Sequence, residues 1–294
     1  HIENTAQPDN FGDIIDAFVG SLSKFIGGVG GYGDFEPITL WGQVMATIVG
    51  LLGIALFAVP AGIIGAGFVE EIEAIKTAVE ITDTAFAEVF PMIKIGVEEQ
   101  TISNQLSFLY RKYGDSDADA FAPIVGSGPH SAMPHARPTD RKIGPGELVV
   151  IDSGAKYAGY HADMTRTVAT KGYSEKQKEI YHIVLEAQLK SIEGIKAGVS
   201  CKEIDTLARG HISNAGYGKY FDHGLGHSLG LEIHENPRFS KVSTDHLKSN
   251  YVMTVEPGIY LEDVGGVRIE DDIVVTDDSC IVLNQTSKDF TVIS

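Results

Sequence analysis

From Glu70 onward the chain switches between two hydrophobic periodicities. Residues 70–90, EEIEAIKTAVEITDTAFAEVF, place Ile72, Ile75, Val79, Phe86 and Val89 at helical spacing, which predicts an amphipathic helix. A second helix is expected over Gln100 to Tyr113. Strand-like runs follow around Ile124 and Leu148, then helices near Ser174 to Ile195 and Cys201 to Ala215, then short strands to the end. Helices followed by antiparallel hairpins read as an α+β fold. No self-similarity recurs at the roughly 20 to 50 residue periods of solenoids and propellers.

Ahead of Glu70 the pattern is of another kind. From Pro37 to Val69 there is no Asp, Glu, Lys or Arg. A helix that crosses a bilayer needs ~20 such residues, whereas a buried core helix of that length is rare and keeps a polar face. The expectation is a membrane-spanning segment, too late and too long for a signal peptide. Residues 11–25 predict a short helix leading into Gly27 to Asp34, where glycines allow backbone carbonyls to line a path at membrane depth or simply form a flexible loop. Lys24 is the only cation in residues 1–70 while Lys76 and Arg111 follow the span, favouring a cytoplasmic C-terminal part. The expected division is 1–70 and 71–294. A chain that opens on His1 rather than Met also reads as a processed fragment.

A net charge of −17 and a pI near 4.9 argue against nucleic acid as a partner. Cys201 and Cys280 are far apart and form no CxxC pair, so a reducing compartment is the easier reading.

The candidate chemistry lies in three separated clusters: Asp152 and Asp163, His227, and Glu256 and Glu270. Asp152 (GELVVIDSG) and Asp163 (GYHADMTRT) flank a turn placed at Tyr157-Ala158, and a tight hairpin about that turn sets the two carboxylates directly opposite each other. Facing side chains of this kind have Cβ atoms ~5 Å apart. Glu256 (VMTVEPGIY) and Glu270 (GGVRIEDDI) repeat the arrangement about Glu262 to Gly265. Carboxylates that close repel unless cations lie between them. Two such pairs and one imidazole therefore predict two divalent ions side by side.

Residues 31–34 (GYGD), EPITLWGQ after them, and LLGIALFAVPAGIIGAGF resemble the pore loop and inner helix of tetrameric potassium channels. Gly53 and Pro60-Ala61-Gly62 fall where that helix bends, and proline supplies a cause for a kink. Gly28 stands where the family's filter has threonine, an extra glycine separates Val29 from Tyr32, and no outer helix precedes the loop.

The segments HARPTDRKIGPGELVVIDSGAKYAGYHADMTRT, HGLGHSLGLEIHENP, TVEPGIY and GVRIEDD resemble the pita-bread metallopeptidases, in the prolidase and aminopeptidase P branch, over about residues 71–294. That resemblance implies a metal-dependent exopeptidase cleaving Xaa-Pro bonds of di- or oligopeptides, with two ions of Mn, Co or Zn. It implies that Asp152 chelates one ion, that Asp163 and Glu270 bridge both, and that His227 and Glu256 complete the other shell. Glu256 is implied as the proton shuttle, and His234 and His135 as contacts to the substrate carbonyl. His223 is implied as a wall of the proline pocket. Gly224, Gly226 and Gly230 disfavour a helical two-histidine site with His227. Arg268 resembles a partner for a ligand or for a substrate carboxylate, an ordinary salt bridge being the alternative. His161 and His182 read as surface histidines, and Tyr260 and Glu262 as scaffold. A dimer is expected of the peptidase and a tetramer of the pore segment. The alternative functions are a tetrameric cation channel subunit whose peptidase-like domain is a cytosolic module, and an artificial join of two sequences near EEIE.

Overall fold

The computed structural model describes residues 39–42, 44, 70–114 and 119–294. The expected short helix 11–25, the glycine-rich 27–34 and most of the apolar run 37–69 lie outside these residues. Among the described residues no helix is long and apolar enough to cross a membrane. The chain divides into two compact units, His1–Glu70 and Glu71–Ser294. The second carries all of the candidate chemistry.

Helix α1, residues 70–89, buries Ile75, Val79, Phe86 and Val89, the stripe its periodicity sets out. α2 (Glu99–Tyr113) buries Ile102, Leu106, Leu109 and Tyr110. Strands β1 (Ile124–Ser127), β2 (Leu148–Ser153), β3 (Lys156–Tyr157), β4 (Tyr160–His161) and β5 (Met164–Thr170) come next. α3 (Glu175–Gly194) starts at a reciprocal capping box between Ser174 and Gln177. α4 (Cys201–Asn214) and strands β6 (Gly226–Ser228), β7 (Glu235–Phe239), β8 (Val252–Val255) and β9 (Gly258–Leu261) follow. The chain closes with β10 (Gly265–Arg268), β11 (Asp271–Val275), β12 (Cys280–Val282) and β13 (Val292–Ile293).

A four-stranded sheet runs β1-β2-β5-β13 and a five-stranded one β12-β11-β8-β6-β7. Among the described residues every pairing in these two sheets is antiparallel except β13 with β5. α1 and α2 pack on the first sheet through Phe86, Leu106, Val149 and Met164. α3 and α4 cover the second through Val184, Ile204, Met253 and Ile273. Burying these apolar stripes is the main favourable term holding the layers together.

Two long hairpins, each broken midway, position the site. The first runs β2-β3 up and β4-β5 back, and the second runs β8-β9 up and β10-β11 back. In the first, Asp152 pairs with Thr165 and Tyr157 with Tyr160, so the turn is Ala158-Gly159, one residue beyond its expected place. Ala158 and Gly159 have φ of 49° and 87°, the left-handed pair that a two-residue hairpin loop needs. Asp163 therefore sits diagonally from Asp152 rather than directly opposite. A register displaced by two residues keeps both carboxylates on one face. In the second hairpin Asp271 pairs with Val255 and Gly258 with Arg268, which brackets Glu256 and Glu270 at facing positions. Cys201 and Cys280 are unpaired thiols.

Candidate metal centre

The two hairpin breaks are sewn together. Thr165 O accepts the Glu270 amide at 3.1 Å, and Asp272 Oδ2 accepts the Asp163 amide at 2.9 Å. Arg166, buried, donates to the Glu270 carbonyl at 2.5 Å and to Asp271 Oδ1 at 2.7 Å. Asp271 also receives Lys288 and Gln188, so the charge beneath the site is compensated within the fold. Strand β6 enters between β7 and β8 at Gly226, where a Cβ would lie 2.1 Å from the Thr254 carbonyl. Only glycine passes there, and the irregularity between His227 and Ser228 re-aims the imidazole.

These elements enclose a cavity of about 480 Å³. Asp152, Asp163, His227, Glu256 and Glu270 all line it, as do His135, His223, His234 and Arg268. The fold thus brings every candidate site residue of the sequence to one place. Donor atoms of Asp163, His227 and Glu270 lie within 4.8 Å of one another. Asp152 and Glu256 face the same space outside that tighter cluster, Asp152 bonded to Arg268 at 2.6 Å and Glu256 accepting from Thr254 at 3.2 Å. Asp152 Oδ1 and Asp163 Oδ1 are buried with no hydrogen-bond partner.

The charges are mismatched for a cavity with protein groups alone. Burial raises the Asp163 and Glu270 carboxyls well above the ordinary range, and neighbouring carboxylates add to it, Glu270 acting on Asp163 and Glu256 on Glu270. Burial likewise pushes Glu256 up to about 8, against the pull of Arg268. Burial lowers His227 to about 4, so its ring is neutral. His227 Nδ1 faces the Ser228 carbonyl at 3.1 Å, which puts the proton there and leaves the Nε2 lone pair toward Glu256 at 3.4 Å and Asp163 at 3.7 Å. Unpartnered carboxylate oxygens, a neutral imidazole with its lone pair inward and carboxylates that resist ionising alone together fit divalent cations.

Arg268 is the hub behind this set. It donates to Asp152, to Thr165 Oγ1 at 3.0 Å, to Tyr260 Oη at 2.9 Å and to the Pro134 carbonyl at 3.2 Å. Tyr260 Oη lies 3.0 Å from His223 Nε2, and His223 Nδ1 lies 2.8 Å from the Gly224 carbonyl. Burial, with Arg268 adding to it, lowers His223 to about 4. The neutral ring therefore accepts from the tyrosine and donates to the carbonyl. Tyr260, read from the sequence as scaffold, links His223 and Arg268. His161 is also no surface residue: it is buried with Nδ1 3.0 Å from the Gly230 carbonyl. His182 is exposed, as expected. Sequence reasoning missed Arg238, which lines the cavity and pairs in register with His227. Thr165 and Asp272 were missed too, although each stands two residues after a ligand candidate, the spacing that returns a strand residue to the same face.

Known proteins share this fold. The chain is 44% identical over 220 residues to the Xaa-Pro dipeptidase of Pyrococcus horikoshii, covering 75% of this chain and 62% of that protein. Its fold resembles the solved Xaa-Pro dipeptidase from Bacillus anthracis, with a TM-score of 0.75, 46% identity, and 76% and 63% of the two chains covered. The X-Pro aminopeptidase from Thermotoga maritima gives a TM-score of 0.73 at 43% identity, with 76% and 63% covered. The fold of residues 71–294 is thus the prolidase-like pita-bread fold, mixed α/β. The chain spans less than two thirds of the length of these relatives. Residues 31–70 match a sequence model described as an ion channel, in keeping with the pore-loop resemblance. Residues 73–277 match that of metallopeptidase family M24, so that the acidic hairpins and the imidazole between them have a family context, and the chain belongs to metallopeptidase family M24.

Proposed function

We propose that this protein is a dinuclear-metal-dependent exopeptidase that hydrolyses Xaa-Pro peptide bonds, of prolidase or aminopeptidase P type. The observation that carries it is the convergence of Asp163, His227 and Glu270 donor atoms within 4.8 Å in a cavity that Asp152 and Glu256 also face. Asp152, Asp163, His227, Glu256 and Glu270 would hold two ions of Mn, Co or Zn, an oxygen-rich set suited to such metals. When bound, the ions supply Lewis acidity, lowering the pKa of water toward neutrality and stabilising negative charge on oxygen.

The chain's own residues do the rest. Glu256, ionised when it holds a cation, would take the proton of the attacking water and pass it to the leaving nitrogen. His234, held neutral by burial and by nearby Arg238, stacks edge-on against His227 at 4.5 Å, and with His135 it donates a hydrogen bond to the substrate carbonyl oxygen. His223 walls the pocket for the proline ring and Arg268 orients Asp152. A cavity of about 480 Å³ falls in the range of small-ligand sites.

Purified protein supplied with Mn²⁺ or Co²⁺ is expected to release the N-terminal residue from Xaa-Pro peptides and to carry two ions per chain by elemental analysis. Turnover that survives both Asp163→Ala and Glu270→Ala would rule out this site. The ion-channel match over residues 31–70 supports a second reading, a membrane-anchored tetrameric cation channel subunit with the peptidase-like part on its cytoplasmic side. Planar-bilayer recording tests it, and the absence of current would remove the channel.

A further inference from the structure

We propose that Thr165 is the positioning residue that fixes the orientation of the Glu270 carboxylate, and through it the affinity of the centre for divalent cations. The inference rests on the ligand role proposed above. Thr165 grips Glu270 at both ends: its carbonyl accepts the Glu270 amide at 3.1 Å, and its hydroxyl donates to Glu270 Oε2 at 2.5 Å. Its backbone is held in turn by the β2–β5 ladder, in which it pairs with Asp152.

The direction of the hydroxyl is not a matter of choice. A guanidinium only donates, and a Glu270 carboxylate ionised to hold a cation only accepts. With Arg268 Nε at 3.0 Å on one side and Glu270 Oε2 on the other, the hydroxyl must accept from the first and give its proton to the second. The same guanidinium donates to Asp152 Oδ2 at 2.6 Å, so a single arginine orients one carboxylate of the first hairpin directly and one of the second through Thr165. The β-branched side chain has few rotamers, which keeps the oxygen in place without further support. Thr165 is 0% exposed, so it touches no substrate and acts only through its neighbour. Partners that orient ligands are typically worth roughly 10–100-fold in metal affinity.

Valine replaces the hydroxyl with a methyl of nearly the same shape. Calorimetric titration of the full chain with MnCl₂ is expected to show Thr165→Val binding roughly 10–100-fold more weakly than the unaltered protein. Thr165→Ser, which keeps the hydroxyl, should restore most of that affinity. Thr165→Ala, smaller and free of the branch, replaces the valine variant if valine does not fold. Melting in EDTA separates packing from orientation, since a residue that only filled space would lower Tm without a selective loss of Mn²⁺ affinity. Unchanged Mn²⁺ affinity in the folded valine or alanine variant overturns the inference and leaves the proposed function standing. So does a serine variant as weak as valine. Failure of the unaltered chain to bind Mn²⁺ overturns both.

Discussion

In the hairpin that ends at β5, Asp152 lies across from Thr165 and Asp163 sits in the break beyond; in the hairpin that ends at β11, Glu256 and Glu270 hold facing positions. Along the sequence both pairs of carboxylates look symmetric about a turn. They differ because their turns differ. Ala158 and Gly159 form a two-residue loop with both φ positive, whereas the second hairpin turns through residues 262–264 and lands on Gly265 at φ 114°. Where the left-handed residues fall sets the register, and register decides whether two acids face each other or meet diagonally. The faces survive the difference. All four carboxylates still line one cavity, because a displacement of two residues preserves strand parity.

Removing one carboxylate from each hairpin sharpens the comparison most. Asp163→Ala and Glu270→Ala should each lower kcat/KM by about three orders of magnitude, the several kcal/mol that metal activation supplies. Equal losses would show that the diagonal and the facing pair contribute alike. Next in size is Arg166→Ala, which cuts the tie between the hairpins and leaves Asp271 short of one buried partner. Its expected cost is about 3–5 kcal/mol in denaturant unfolding. A loss below about 1 kcal/mol would show that Lys288 compensates Asp271 alone.

The facing pair should also show itself in pH dependence. With Glu256 raised from 4.5 to about 8, the folded protein binds a proton that the unfolded chain has released across that window. The Glu256 contribution to stability in EDTA should then be full below 4.5 and be lost as pH rises toward about 8, the loss showing above 6.5, where the lowered His223 and His227 no longer oppose it, and Mn²⁺ should abolish it. Thermal melts with and without metal across that range check the sign. The smallest effect belongs to the first turn. Ala158→Asn creates the Asn-Gly pair that such loops prefer and relieves a left-handed alanine, for a gain of about 1 kcal/mol or less and a Tm rise of roughly 2–4 °C.

Much of this was legible in the chain. Helical spacing from Ile72 to Val89 located α1, and the helix expected near Ser174 to Ile195 matches α3 to within a residue or so, since helical signals depend on neighbours three or four positions away. The acidic residues and His227 were legible because their side chains have few other uses in apolar surroundings. The Ala158-Gly159 turn was not, since alanine rarely adopts positive φ and carries no signal for it. His161 was misread for a related reason, and the links made by Tyr260 were equally illegible. Their partners, the Gly230 carbonyl and Arg268 with His223, lie on other elements and are invisible to local spacing.

The sequence by itself determined the elements and the inventory of donors, because each follows from local periodicity and side-chain chemistry. Tertiary structure alone decided which donors converge. Thr165 reaches Glu270 across 105 residues of chain and Arg268 reaches Asp152 across 116, and contacts of that range form only when sheets and helices bury their apolar faces together.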